Sequence, residues 1–376
     1  MKDGTSGHGW RKRAGAVAVS AVLGVLVFAA VGAAGPTSAS SAAKDKWTVK
    51  LKDGSTFTLA KRIADKINAH QKINYVFSYQ SSAIQGFSQQ YLAGFKKTIP
   101  DANKIYPLGG KAIAPSVPAG DIPQQISQIQ ALLATNQIDC LSIEPSNSTG
   151  FTSIANQVLK KGIPVFTVGV TSNGNELTNF TQVPIKEGGT AAATVLSYMK
   201  AHNLHFKTFA VSGGDPSQFW AQGRMKGFRL GIQKAIPDAK FLTTESSALS
   251  VTYDPAKTYD AYKAFLAGDG KNVDVIENVD IGAGYAARAI KDAGRAGKAF
   301  SVGWNVTPEQ VDALKAGTQI ALFDQKWPEQ AGFGALACAT FLKTGKVLPN
   351  TQQLSVVTKE NYNQAIADLN KLLGKK

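Results

Sequence analysis

Histidine, methionine and cysteine are scarce in this chain of 376 residues, which holds four His, three Met and two Cys. Without a Cys/His cluster there is no metal-site signal, because transition metals need such ligands grouped. Acidic residues are also short: 26 Asp and Glu stand against 41 Lys and Arg, a formal net charge of +15. The motifs of common catalytic machinery are missing too. There is no G-x-S-x-G elbow, no H-E-x-x-H and no G-x-x-x-x-G-K-[ST] loop. An enzyme is not expected, nor is a cofactor or a metal. The positive charge is scattered, not blocked, and aromatics are not interleaved with it, so nucleic acid is not an expected partner. Cys140 sits in a run that reads as a buried strand, and Cys338 on an apolar helix face with Ala335, Phe341 and Leu342. An oxidising compartment would allow them to pair, but two separate buried thiols are the expectation.

Residues 1–43 read as a signal peptide. Arg11-Lys12-Arg13 forms a basic start, Ala14 to Ala34 is apolar, and small residues at Ala39 to Ala43 offer cleavage sites. A retained membrane anchor is the alternative, since the apolar stretch is long enough to span. No cysteine follows it, so a lipid anchor on cysteine is excluded. No second spanning stretch occurs, and the remainder is expected to be exported and soluble. The segment carries Lys2, Arg11, Lys12 and Arg13 against Asp3, a net of +3, which leaves +12 on the rest.

What the chain has in quantity is a repeating grammar. An apolar run, Ile138 to Ile143, meets a polar loop, Glu144 to Thr149. A helical pattern with Ile154, Val158 and Leu159 follows, then Gly162 and a second apolar run, Ile163 to Val168. About 130 residues later the pattern returns as Val273 to Glu277, Asn278-Val279-Asp280, the helix Tyr285 to Ala293, Gly294, and a strand ending at Trp304-Asn305. Each unit predicts a βαβ crossover, and uniformly apolar strands predict burial on both faces. In parallel sheets ligands sit beyond the carboxyl ends of the strands. Those ends carry Glu144, Asn278, Asp280 and Asn305, so two half-sites can face each other.

The rest of the chain fits two series of about five βα units. Asp53-Gly54 marks a hairpin, with a helix near Lys61 to Ala69. The first series then predicts a strand at Asn74–Ser78, a helix Phe87–Thr98 ending before Pro100, a weak strand near Lys104–Leu108 and a helix Ile122–Asn136. The second predicts a strand at Gln182–Ile185 and a helix Ala191–Ala201, then Phe206–Ser212, Phe219–Ala235, Lys240–Thr244 and Pro255–Ala267 in alternation. After the second βαβ unit come Gln319–Asp324, Trp327–Lys343, Gln352–Val357 and Asn361–Leu373. The fold class is α/β, two lobes each with a parallel sheet flanked by helices.

Eight phrases then occur in one order: GFSQQYLAGF, IDCLSIEPSNS, KKGIPVFTV, GRMKGF, AARAIKDAG, FSVGWN, LFDQKWPEQAGFGA and FLKTGK. Together, over Ile73 to Val357, they resemble the periplasmic sugar-binding proteins of the ribose-binding type, the substrate-binding subunits of ABC importers. The resemblance implies the type I periplasmic binding protein fold, joined by a three-segment hinge with crossings near Ile185-Lys186, Gln325-Lys326 and Asn350. Lobe 1 would hold 44–185 and 326–350, and lobe 2 would hold 186–325 and 351–376. It further implies a periplasmic or cell-envelope monomer that takes a small sugar or sugar-like ligand to a membrane permease. LacI-type repressors share the fold, but they need a helix-turn-helix where this chain has its export-like segment. An exported sensor feeding a membrane kinase or chemoreceptor stays open as the alternative.

Carried over by this resemblance, Phe87 is the aromatic that packs on a sugar face, with Tyr79 and Ser82 in its loop. Glu144 stands where the ribose type usually has Asn. Arg224 supplies a guanidinium for ring oxygens, and Tyr253 a second stacking ring. Asn278 and Asp280 cover the usual Asn-Asp pair, one residue short in spacing. Asn305 replaces the common Asp, and Gln325 matches the hinge Gln. The chemistry suits a sugar, whose hydroxyls need paired donors and acceptors and whose C–H faces stack on rings. Each residue also has a plainer reading: Glu144 and Asp280 as helix caps, Arg224 as a surface residue, Tyr253, Trp220 and Trp304 as packing. One departure is large. Where the family places Asp-Arg after GIPVFTV, this chain has Gly169-Val170, which implies a less polar wall there.

Overall fold

A computed structural model describes residues 46–80, 86–116, 122–170, 172–181, 183–351 and 354–374. The expected signal segment, 1–43, lies outside them. The first elements are an antiparallel hairpin of β1 (Thr48–Lys50) and β2 (Thr56–Thr58), with Gly54 at φ 81° in its turn, followed by α1 (Lys61–Asn68). This extension is fastened to the first lobe. Trp47 and Phe57 enter its core, the Trp47 indole donates to the Leu342 carbonyl at 2.9 Å, and Lys66 pairs with buried Asp139 at 2.8 Å.

The first lobe continues with β3 (Tyr75–Ser78), α2 (Phe87–Ile105), β4 (Lys111–Ile113), α3 (Ile122–Ala134), β5 (Cys140–Ile143), α4 (Thr152–Lys160), β6 (Val165–Val168) and β7 (Thr178–Phe180). Its strands are all parallel, in the order β4-β3-β5-β6-β7. The second lobe holds α5 (Pro184–Ala201), β8 (Thr208–Gly213), α6 (Phe219–Ala235), β9 (Lys240–Phe241), β10 (Leu249–Ser250), α7 (Pro255–Ala267), β11 (Val275–Asn278), α8 (Ala283–Asp292), β12 (Phe300–Trp304), α9 (Pro308–Ala316) and β13 (Gln319–Asp324). Then α10 (Trp327–Thr344) returns to the first core, and β14 (Ser355–Val357) with α11 (Tyr362–Leu373) follows. The second sheet runs β10-β8-β11-β12-β13-β14, with β9 also on β8. Every strand of it is parallel except β14, which lies antiparallel on β13. That strand arrives from the other lobe, so no βαβ crossover dictates its direction.

Strands β3, β5 and β6 are buried at every position, as their largely apolar runs require, and β11 is too although it ends in Glu277 and Asn278. Each buried large side chain stabilises by roughly 1.5–3 kcal/mol. Close helix pairs complete both lobes. A Cβ at Gly94 of α2 would overlap the backbone of Pro328 on α10, and one at Gly188 of α5 would overlap the Arg224 carbonyl on α6. Among the described residues no helix is long and apolar enough to cross a membrane.

Several sequence expectations are corrected. Cys140 and Cys338 form a disulfide, because α10 lies across β5 and holds their Cα atoms 6.3 Å apart. Helix α2 runs through Pro100 to Ile105, carried by its packing on α10 and by buried Ala102 at its far end. The strand near Lys104–Leu108 is replaced by β4, and the one at Gln182–Ile185 by β7, after which Pro184 opens α5 as its first residue. Helix α9 was not foreseen, although Thr307 caps it through the Gln310 amide and Gly317 closes it at φ 71°.

Candidate functional site

Both sheets reverse their direction of travel at one place. In the first lobe the chain moves from β3 out to β4, then back across to β5; in the second it moves from β8 to β9 and β10, then across to β11. Ligand crevices form at such switch points. The carboxyl ends of these strands line one cleft of about 270 Å³ between the lobes. Seven of the ten expected site residues line it: Phe87, Glu144, Arg224, Tyr253, Asp280, Asn305 and Gln325.

On the first-lobe side, Glu144 follows β5 and is only 1% exposed. Its carboxylate accepts from the Gln80 amide at 3.1 Å and the Gln80 side chain at 3.0 Å, so it ties the ends of β3 and β5 together. Burial nonetheless pushes its pKa up to about 8, with the two Gln80 bonds pulling the other way. Around it stand Tyr91, Phe87 and Trp327. The Phe87 ring lies 4.6 Å from Tyr91 and edge-on to Trp327 at 4.9 Å. Gly169 (φ 84°) explains the missing Asp-Arg pair. A Cβ there would stand 2.7 Å from the Tyr91 hydroxyl and 3.1 Å from the Glu144 side chain, so these residues fill the space.

The second-lobe side centres on Arg224, buried at 3% exposure. Its Nε donates to Glu187 at 2.7 Å and its Nη1 to the Val279 carbonyl at 2.8 Å, while Nη2 donates to Gln325 Oε1. Its guanidinium lies 4.0 Å from the Trp304 ring and 4.9 Å from that of Trp220. Three of its five N–H groups are held by the protein, leaving two for a ligand. Asp280 accepts from the Gly214 amide at 2.6 Å and the Gly282 amide at 3.2 Å. Burial raises its pKa to about 6, against those backbone bonds and the nearby Arg224 charge. The Tyr253 ring lies on Gly214, and burial, then the Asp280 charge, raises its phenol. Asn305, at φ 64°, accepts from Gln325 at 3.3 Å.

A hydrogen-bond chain crosses the hinge beneath the cleft. Tyr91 donates to Gln330 at 2.5 Å, Gln330 donates to the Gln325 carbonyl at 2.8 Å, and the Gln325 side chain meets Arg224. Below the second-lobe floor, Glu277 is fully buried on β11 and neither of its oxygens has a hydrogen-bond partner among the described residues. Burial holds its pKa well above the usual carboxylate range, in spite of Arg224.

Two expected residues are not brought to the cleft. Tyr79 stacks between Phe77 and Tyr91, at 5.3 and 6.5 Å, in the first core. The Asn278 side chain is committed to Tyr262 at 2.8 Å and to the Gly282 amide at 2.8 Å, which shapes the loop into α8. Ser82 lies outside the described residues. Trp304 is core, as its plainer reading had it, but Trp220 lines the cleft. The sequence reading missed Tyr91, Glu187, Trp327 and Gln330. Tyr91 had a signal, since it falls four residues after Phe87 on the same helix face. Among the described residues no group of three or more His, Cys, Asp or Glu is placed to hold a metal.

Two α/β lobes with a cleft at facing switch points, crossed by a three-segment hinge, define a two-lobed binding protein of the type I periplasmic fold. The chain belongs to the periplasmic binding protein domain family, whose model matches residues 75–346. Compared with curated proteins, it matches none. Among solved structures it is similar to the Caulobacter myo-inositol binding protein bound to myo-inositol, at 18% identity and TM-score 0.62, covering 78% of this chain and 97% of that one. It is also similar to a periplasmic ribose ABC transporter protein from Conexibacter woesei, at 19% identity and TM-score 0.65, covering 79% and 95%. A third is an Actinobacillus succinogenes periplasmic solute binding protein with bound D-allose, at 16% identity and TM-score 0.65, covering 77% and 99%.

Proposed function

We propose that this chain is an exported receptor of an ABC importer that holds one small polyhydroxylated molecule in the cleft, without turnover, and delivers it to a membrane permease. The observation that carries the reading is the set at the facing strand ends: Arg224 with two spare donors, carboxylates and amides able to accept, and the Phe87, Trp220 and Trp327 rings. Donors, acceptors and apolar faces are what a sugar or cyclitol needs. The similar structures from Caulobacter and Actinobacillus hold myo-inositol and D-allose. Export through removal of residues 1–43 agrees with the Cys140–Cys338 bridge, since disulfides persist in oxidising compartments.

Lobe 1 is taken as 44–185 with 326–350, and lobe 2 as 186–325 with 351–376, acting as a monomer. Closure would turn on the three crossings between the lobes, near Ile185-Lys186, Gln325-Lys326 and Asn350. The purified chain without residues 1–43 should melt higher in the presence of a sugar or cyclitol from a panel of ribose, allose, glucose and myo-inositol, with their amino derivatives. A ligand at a hundred times its Kd stabilises by about 2.7 kcal/mol. Hydrolysis or other conversion of a panel member, or no shift with any of them, would remove the reading.

A further inference from the structure

We propose that the first-lobe half of the cleft receives a protonated amino group, so that the ligand is an amino sugar or amino cyclitol and not a neutral one. This rests on the receptor reading above and narrows its ligand. The cleft is acidic in a basic chain: Glu144, Glu187, Asp215 and Asp280 line it against Arg224, its only Lys, Arg or His among the described residues. Arg224 stands beside Glu187 and Asp280, in the second lobe. Nothing does the same for Glu144. The groups that face it are Gln80 after β3, Tyr91 of α2, Gly169 after β6 and, through Tyr91, Gln330 of α10, and none is positive.

Glu144 is therefore a buried carboxyl whose two oxygens each take one bond from Gln80, leaving acceptor capacity toward the cleft. The rings of Phe87, Tyr91 and Trp327 stand on the same side. A carboxylate beside several ring faces is the arrangement that draws an ammonium, by charge and by cation–π attraction. Glu187, on the other side of the cleft, is 4% exposed but is already paired with Arg224 through Oε2, so the half that lacks a cation is the one that holds Glu144.

The proton balance follows. With its pKa near 8, Glu144 is mostly protonated at pH 6.5 in the unliganded protein. A bound ammonium makes the ionised form the favoured one, and the carboxyl proton leaves to the buffer. Cation binding should then release close to one proton per ligand, whereas a neutral sugar releases none through this group. Asp280, Asp215, Arg224 and Tyr253 occupy the opposite lobe and are common to both kinds of ligand.

Calorimetry at pH 6.5, in two buffers of different ionisation enthalpy, tests this with matched pairs: glucose and glucosamine, myo-inositol and an inosamine, plus N-acetylglucosamine as the neutralised control. The amine should bind at least tenfold tighter than its neutral partner, with proton release. Glu144→Gln should shrink the preference to within threefold and abolish the release while keeping the melting cooperative. Should that variant not fold, proton release by the unaltered protein still decides. Neutral sugars binding as tightly as amines, or amine binding without proton release, would overturn the inference and leave the receptor reading standing. No binding by either set would overturn both.

Discussion

The two switch points are built alike and finished differently. In each, a carboxylate just after the second strand accepts a backbone N–H from the end of the first: Glu144 from Gln80, and Asp280 from Gly214. In each, the strands are joined just before it by a matching bond, Glu144 N to the Ser78 carbonyl and Val279 N to that of Ser212. Yet Asp280 lies beside an arginine that is itself braced by Glu187, Val279 and Gln325, while Glu144 has aromatic rings and Gln80 alone. Burial raises both carboxyls, Asp280 to about 6 against the Gly214 and Gly282 amides and then Arg224, and Glu144 to about 8 against Gln80 alone. The second lobe is thus a nearly finished set of polar positions, and the first is the side whose charge balance a ligand can change. Covalent support is distributed the opposite way. The first lobe has the disulfide and the fastened hairpin, and the second has neither among the described residues.

Reducing the Cys140–Cys338 bridge should have the largest effect. It closes a separation of 198 residues, for which the chain-entropy model gives about 5 kcal/mol. Scanning calorimetry with and without reductant should show the first lobe melting earlier, while the second keeps its transition. A single transition moved as a whole would mean that the lobes do not unfold separately.

Arg224→Ala comes next, and here the structure changes what the sequence suggests. Binding should weaken at least a hundredfold, but the fold should suffer too, because buried Glu187 loses its cation; breaking such a pair costs about 3–5 kcal/mol. Glu187→Gln should recover part of the melting temperature in the double variant and none of the binding. If Arg224→Ala melts within 1 °C of the unaltered protein, the pairing is structurally idle.

A pH series sharpens the contrast at Glu144. Its folded pKa, about 8, lies above the ordinary value, so the native state holds the proton more firmly than the unfolded chain. The stabilisation is complete below about pH 4.5 and is lost as pH rises toward 8, amounting to about 3 kcal/mol between pH 4.5 and 7. Glu277 slopes the same way from the second lobe, its carboxyl raised by burial. Chemical denaturation at several pH values should show Glu144→Gln flattening the decline but not abolishing it. The net gain at pH 7 should be smaller than the slope implies, because an amide has one acceptor for the two Gln80 donors.

The smallest change is expected from Tyr79→Phe. A ring stacked in the core and away from the cleft should alter affinity less than threefold, and a larger loss by calorimetry would place Tyr79 in the site after all.

Much of the architecture was legible because it is local. Helices α6 and α7 and strand β13 begin and end where their patterns do, and Glu144 and Asp280 were visible as the first polar groups after apolar runs. What escaped depends on the chain's return. Cys338, Trp327 and Gln330 reach the first lobe only because α10 crosses back to it, and no periodicity within α10 says which sheet it will cover. Glu187 lies on a helix turn that the sequence reading assigned to the loop before α5. Asn278 was legible as polar at a strand end, but its side chain is spent on Tyr262 and the Gly282 amide, long-range and loop contacts that no spacing announces.

The end of β13 and the segment after it also divide their residues between two spaces. Gln325, Trp327 and Gln330 face the cleft, while Asp324, Lys326, Pro328 and Glu329 face a second groove of about 270 Å³ completed by α2 and by α11. Helices α2 and α10 therefore form a wall of both, and α11 closes only the second. If the lobes close, such a wall would act as a seesaw plank, with Lys326 at φ 59° beside its start. Tilting it to narrow one space would widen the other, so the seating of α11 would limit how far the front could travel.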